Sequence, residues 1–362
     1  MEKFFKVAER GSTPAQEFRA GITTFLAMAY IIAVNPALLA AAGVPISAAI
    51  TATCLGGGVM TILMGLFANR PLACASGMGV NAVVAFSLTP IAGGDWHAAM
   101  AVIFIEGIAI LLLVLCGLRE AIMDAIPVNL RHAISVGLGL FIALIGLKNS
   151  GIIIANESTL VALGDIFSPT FIVGVISIVA TVVLYSARVK GSLLIGIILA
   201  VLVGIPLGVT STPTGVVSGL DFGTFGAPFL TDGSGVMGIV KALTTPVLLV
   251  FAFSLMMSDF FDTMGSAMAI AKQGDFLTED GNVKDIKQIL IVDSAAAAAG
   301  GLFGASSITT FIESASGAAD GGRTGLSSVV TGLLFIAAAF IAPLISIVSS
   351  AATCGALVLV GF

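Results

Sequence analysis

The chain has 362 residues, of which 58% are hydrophobic and only 10% charged, and its mean hydropathy is +1.14. Soluble chains carry about 25% charged residues, so 15 Lys+Arg and 20 Asp+Glu cannot cover a water-exposed surface of this length, and soluble enzymes are excluded. A net charge of −5 without a basic cluster excludes a nucleic-acid partner, while 43 glycines suit helices packed closely in lipid.

In chain order, residues 1–19 carry both basic and acidic residues ahead of a long apolar run, which is a cytoplasmic lead-in rather than a signal peptide. About 20 apolar residues cross the hydrocarbon layer, and uncharged runs predict twelve spans. They cover 20–42, 46–68, 71–90, 97–118, 129–149, 168–187, 191–208, 240–271, 286–303, 305–322, 324–341 and 343–362. This is an all-α polytopic membrane protein. With the N-terminus inside, thirteen of the fifteen Lys and Arg fall on one face, leaving Lys148 and Lys241 outside. The loops at 150–167 and 209–239 hold Glu157, Asp165, Asp221 and Asp232 and no basic residue, as expected outside. After Arg323 the chain is uncharged to Phe362. Cys54, Cys74, Cys116 and Cys354 lack metal-ligand spacing and read as small core residues, and no metal or cofactor is expected.

Ionisable groups inside a span are functional candidates, and the intramembrane set is Glu106, Asp259, Asp262, Asp293 and Glu313, with Asp320 near the cytoplasmic end. Asp259 and Asp262 lie three residues apart in SDFFDTMGSAMA, on adjoining faces of one helix. Glu313 follows the β-branched stretch Ile308–Ile312, which favours an extended backbone, and precedes SASGAA, which suits a short helix start. Segment 71–90 has the same grammar: PLACAS, then GMGVNA, then a short apolar helix. The two breaks are seven spans apart, so the second copy runs the opposite way through the membrane. Paired interrupted spans of this kind mark the binding site of an inverted-repeat transporter, with half-helix N-termini aimed at the midplane. Asn81 either caps its half-helix or contributes to the site.

The motifs GMGVNA (Gly77–Ala82), FDTMGSAMA (Phe261–Ala269) and TTFIESASG (Thr309–Gly317), with FLAMAYIIAVNP (Phe25–Pro36), resemble those of the AzgA-like purine permeases of the nucleobase–ascorbate transporter (xanthine/uracil permease) superfamily. The resemblance runs from Phe18 to the chain end. It implies a seven-plus-seven inverted repeat divided into core and gate domains, with the last two of fourteen spans absent here. It also implies proton-coupled import of adenine, guanine and hypoxanthine across a bacterial-type inner membrane, and a homodimer. By resemblance, Asp262, Glu313 and Asn81 bind substrate beside Gly79 and Ser314, Asp262 and Glu313 also carry the coupling proton, and Asp259 supports them.

The implied domains are a core from 20–118 and 240–341, a gate from 119–208 and 342–362, and an external loop at 209–239. A uracil or xanthine symporter of the same fold is the near alternative. An anion transporter fits two carboxylates poorly, and a channel or intramembrane enzyme lacks the pore repeat or nucleophile it would need.

Overall fold

A computed structural model describes residues 2–117, 128–213, 215–231 and 235–362. Arg119 and Asp232, which entered the charge pattern, lie outside the described residues. After a short α1 (Glu2–Phe5), the order is α2 (Pro14–Met28), α3 (Ile31–Ala41), α4 (Ile46–Phe67), β1 (Cys74–Ser76), α5 (Met78–Ile91) and α6 (Trp96–Leu115). Then come α7 (Val128–Asn149), β2 (Ile153–Asn156), β3 (Leu160–Leu163), α8 (Pro169–Ser186) and α9 (Ser192–Gly204). The last group is α10 (Gly238–Thr244), α11 (Pro246–Gln273), α12 (Ile286–Phe303), β4 (Ile308–Thr310), α13 (Ser314–Ala319), α14 (Gly325–Ile345) and α15 (Cys354–Gly361). Seven helical stretches among the described residues are long and apolar enough to cross a membrane, and α5, α9 and the Gly139–Asn149 part of α7 are shorter apolar helices.

Several spans depart from their predicted form, each for a local reason. Span 20–42 is two helices that meet at Ala29–Tyr30, where the hydrogen bonds tighten to Ile32→Ala29 and Ala33→Tyr30, and α3 continues through Pro36. Span 240–271 breaks at Thr245, whose extended backbone precedes Pro246 at the first position of α11. The division between the last two predicted spans moves from 342 to the turns at 346–353, since α14 runs on to Ile345 and α15 begins only at Cys354. The loop 150–167 contains the β2–β3 hairpin, with Ile153 opposite Leu163.

The order long helix, long helix, strand plus short helix, long helix occurs twice: in α2/α3, α4, β1–α5, α6, and again in α11, α12, β4–α13, α14. β1 pairs antiparallel with β4, placing Cys74 opposite Thr310 and Ser76 opposite Ile308. Matching the copies in order exchanges the pair α4–α14 with the pair α12–α6. Both crossings are backbone contacts made at glycine. A Cβ on Gly325 would lie 1.8 Å from the Gly65 carbonyl oxygen, and one on Gly107 would lie 2.1 Å from the Ala298 nitrogen. Lipid provides no hydrophobic drive between helices, so close van der Waals approach at small residues holds such pairs. Glu17, buried on α2, adds a polar tie by accepting from the Arg323 and Thr324 N–H groups at 2.8 and 3.3 Å.

These elements pack as one unit. A second comprises α7, α8, α9 and α15, again through small residues: Gly139 meets Gly361, and the Ser177 hydroxyl accepts from Gly355 N and donates to the Ala352 carbonyl. At the end of the molecule carrying Arg19, Arg188 and Lys190, an ion pair crosses between the units. Lys190 Nζ lies 2.6 Å from Asp320 Oδ1, and Thr23 also donates to that carboxylate.

The α4–α14 crossing predicts that Gly325→Ala lowers the thermal midpoint of the detergent-solubilised protein. Gly265→Ala, with nothing within 4 Å of the added Cβ, should not lower it. Equal midpoints for the two variants would contradict the close-packing account.

Candidate substrate-binding site

An extended strand at membrane depth must find a partner for every backbone polar group. β1 and β4 supply one another, and neighbouring side chains complete the set. The Thr61 hydroxyl on α4 donates to the Cys74 carbonyl at 2.9 Å and accepts from Cys74 N at 2.8 Å. The Ser314 hydroxyl accepts from Ala73 N at 2.9 Å, and the Asn35 amide donates to the Ala305 carbonyl at 3.1 Å.

The firmest of these ties is Asp293 on α12. Its carboxylate accepts from Thr310 N and Oγ1, both at 2.8 Å, from Thr309 Oγ1 at 3.3 Å, and from Thr263 Oγ1 at 2.6 Å. Thr263 directly follows Asp262, so Asp293 fixes α11 against β4 and sets Asp262 relative to Glu313.

The two breaks face a cavity of about 220 Å³ between the units. Its wall is Tyr30, Gly77–Val80 at the start of α5, Ser258, Asp259, Asp262 and Ser266 on α11, and Thr310–Glu313 from the end of β4 onward. Gly139, Ile142 and Val360 close it from the second unit. Asp262 is exposed and lines this space, and Glu313 is half-buried. The Tyr30 hydroxyl, carried at the tightened turn between α2 and α3, donates to Glu313 Oε1 at 2.5 Å.

Of the predicted site residues, Asp262, Glu313, Gly79 and Asp259 line the cavity. Asn81 and Ser314 are fully buried behind it. The Asn81 amide donates to the Ser76 carbonyl at 3.4 Å, and the Ser314 hydroxyl is engaged with Ala73. The half-helices also differ from expectation. α5 starts at the cavity with no side-chain cap, leaving its first N–H groups available to a ligand. α13 instead enters through a turn in which Ser314, Ala315 and Ser316 N–H groups already donate to the Phe311, Ile312 and Glu313 carbonyls.

Tyr30 is a polar wall residue that no sequence motif singles out. Its signal is that it is one of two tyrosines in the chain, and it sits in an uncharged span where a phenol needs a polar partner. A second cavity of about 560 Å³, lined by Thr23, Tyr185, Arg188, Lys190, Glu313 and Ser316 among others, extends from Glu313 towards the end that carries the Lys190–Asp320 pair.

Residues 15–362 match the permease family defined by xanthine and uracil permeases. The chain is a member of that family. It is 38% identical over 367 residues to the adenine permease AdeP of Escherichia coli, spanning 100% of this chain and 79% of AdeP. It is likewise 38% identical over 371 residues to the guanine/hypoxanthine permease PbuG of Bacillus subtilis, spanning 100% of this chain and 82% of PbuG. The transmembrane domain of the cyanobacterial bicarbonate transporter BicA shares the fold, with a TM-score of 0.71 at 16% identity over 96% of this chain and 87% of that one. The permease is therefore a transporter with an inverted-repeat fold.

Removing the Asp293 carboxylate strands four donors in the permease interior. Asp293→Ala should cost about 2–5 kcal/mol, read as a lowered thermal midpoint in detergent. Asp262→Ala, which faces the cavity, should leave the midpoint near wild type, and the reverse ranking would contradict the assigned roles.

Proposed function

We propose that this permease imports purine nucleobases (adenine, guanine, hypoxanthine) by proton symport. The carrying observation is that Asp262 and Glu313 line one cavity with the open N-terminus of α5, with no lysine or arginine among the described residues of that wall. A purine presents ring N–H donors and nitrogen or oxygen acceptors along a flat edge. The carboxylates accept from its donors, and the first N–H groups of α5 donate to its acceptors, so few polar atoms are left unpaired in a dry site. Phe311 supplies an apolar wall for the ring face. Relatives named for adenine and for guanine/hypoxanthine support the purine class.

The cavity's charge also bears on the coupling ion. Two carboxylates without a cation favour taking up a proton with a neutral base, since a proton on one removes their repulsion. A site for anions would place a cation here, so the fold shared with a bicarbonate transporter does not carry over as substrate.

In this reading the first unit is the core (residues 20–118 and 240–341) and the second is the gate (119–208 and 342–362). They derive from a seven-plus-seven repeat of which twelve spans lie in this chain. The core moves against the gate, and the second cavity is the path between Glu313 and the cytoplasm. The N-terminus and the Lys190–Asp320 pair lie on the cytoplasmic face of the inner membrane, and two copies form a dimer.

In a strain lacking purine uptake, Asp262→Asn and Glu313→Gln should each abolish proton-driven hypoxanthine uptake while protein reaches the membrane. Tyr30→Phe should reduce apparent affinity by about tenfold, equivalent to losing roughly 1.4 kcal/mol of hydrogen bonding to a charged acceptor. Wild-type uptake by both carboxylate variants would refute the proposal.

A further inference from the structure

Glu106 belongs to none of the interactions described so far. It is the eleventh of the twenty residues of α6, about 15 Å from either end and hence at the middle of a span of bilayer length. It is 1% exposed, and neither carboxyl oxygen has a hydrogen-bond partner among the described residues. An ionised carboxylate in that position costs many kcal/mol, whereas a neutral carboxylic acid costs a few.

The charged surroundings do not compensate. Among the described residues the ionisable groups acting on Glu106 are Asp259 on α11 and Asp293 on α12, both acids, and α6 packs on α11 at this level, Ile110 sharing a buried cluster with Met256, Met257 and Phe260. The nearest base contributed by α10, Lys241, pairs with Asp95 at the N-terminal end of α6. The backbone contact of Gly107 with Ala298 locks α6 onto α12, so Glu106 cannot turn towards lipid without separating the two helices.

The two acidic neighbours differ. Asp293 has its oxygens filled by three threonines and a backbone N–H, an arrangement that suits an acceptor-only carboxylate. Asp259 is buried in the wall of the substrate cavity.

We propose that Glu106 is a proton site at the membrane midplane that exchanges its proton with Asp259 at the wall of the substrate cavity. When the proton leaves the Glu106 carboxyl, the Asp259 carboxylate takes it, so one neutral acid and one carboxylate exist before and after. Glu106 thereby holds the coupling proton away from the purine, and substrate binding and proton binding need not occupy the same carboxylate. This rests on the proton-coupled reading above.

The test uses the purified full chain in proteoliposomes with hypoxanthine. Three quantities are read: binding by thermal shift, exchange of internal for external hypoxanthine, and interior acidification on proton-driven uptake. The expected result is that Glu106→Gln binds and exchanges hypoxanthine near wild-type level but loses accumulation and the accompanying proton entry. Glu106→Asp, which keeps a carboxyl, should retain part of both.

A Glu106→Gln variant that accumulates hypoxanthine with the wild-type proton signal overturns the inference alone. One that loses binding and exchange together with coupling marks Glu106 as structural and also overturns it. A wild-type protein that accumulates hypoxanthine without proton entry overturns the symport reading itself, and this inference with it. If the Gln variant does not fold, Glu106→Asp serves in its place. It should shift the pH profile of uptake, and an unchanged profile contradicts the inference.

Discussion

The pairing of two three-residue strands in the membrane interior is the constraint on which the rest depends. Within hydrocarbon, an extended segment leaves N–H and C=O groups that lipid cannot satisfy. β1 and β4 are tolerable only because each supplies partners to the other, with Thr61, Ser314 and Asp293 completing the edges. The two halves therefore cannot be built independently. Their opposite direction through the membrane is what makes the strand pair antiparallel and sets both breaks at one cavity. The backbone that is expensive to keep in lipid is also what exposes α5's free N–H groups and delivers Glu313.

Rigidity is distributed to match. In the unit around the strands, helices touch backbone to backbone at Gly65–Gly325 and Gly107–Ala298, and Asp293 and Glu17 tie segments far apart in sequence. The second unit has its own glycine contacts, at Gly139–Gly361 and Gly355–Ser177. Between the units lie the cavities and an exposed ion pair, Lys190–Asp320, which gives little net stability in reach of water. The two units also share a buried hydrophobic cluster, in which Ile142, Ile145, Ile197 and Leu357 of the second join Met28, Tyr30 and Ile31 of the first.

Much of this was legible in the sequence because the bilayer imposes a simple grammar. Apolar runs such as 46–68 and 286–303 returned as α4 and α12. The β-branched stretch Ile308–Ile312 and the PLACAS segment ahead of the Gly-rich GMGVNA pointed to the two extended breaks. Departures came where local backbone geometry outweighs periodicity: the tightened turn at Ala29–Tyr30, Pro246, and the turns after Ile345.

Within the site, spacing identified which carboxylates lie inside the membrane but not what each one meets. Asp293 and Asp262 look alike in the chain, yet one is filled by threonines from two elements and the other faces open space. Asn81 and Ser314 sit within the motifs yet turn behind the cavity, because a short helix directs neighbouring residues to different faces. Tyr30 reaches Glu313 across 283 residues of sequence, a pairing that no local pattern encodes.

The most direct measurement is an experimental structure of the protein with adenine or hypoxanthine bound. The account predicts the base in the cavity between the units, its donor edge on Asp262 and Glu313 and its acceptors at the first turn of α5. A base bound only among Tyr185, Arg188 and Lys190 in the second cavity, with Asp262 and Glu313 free of it, would contradict the account.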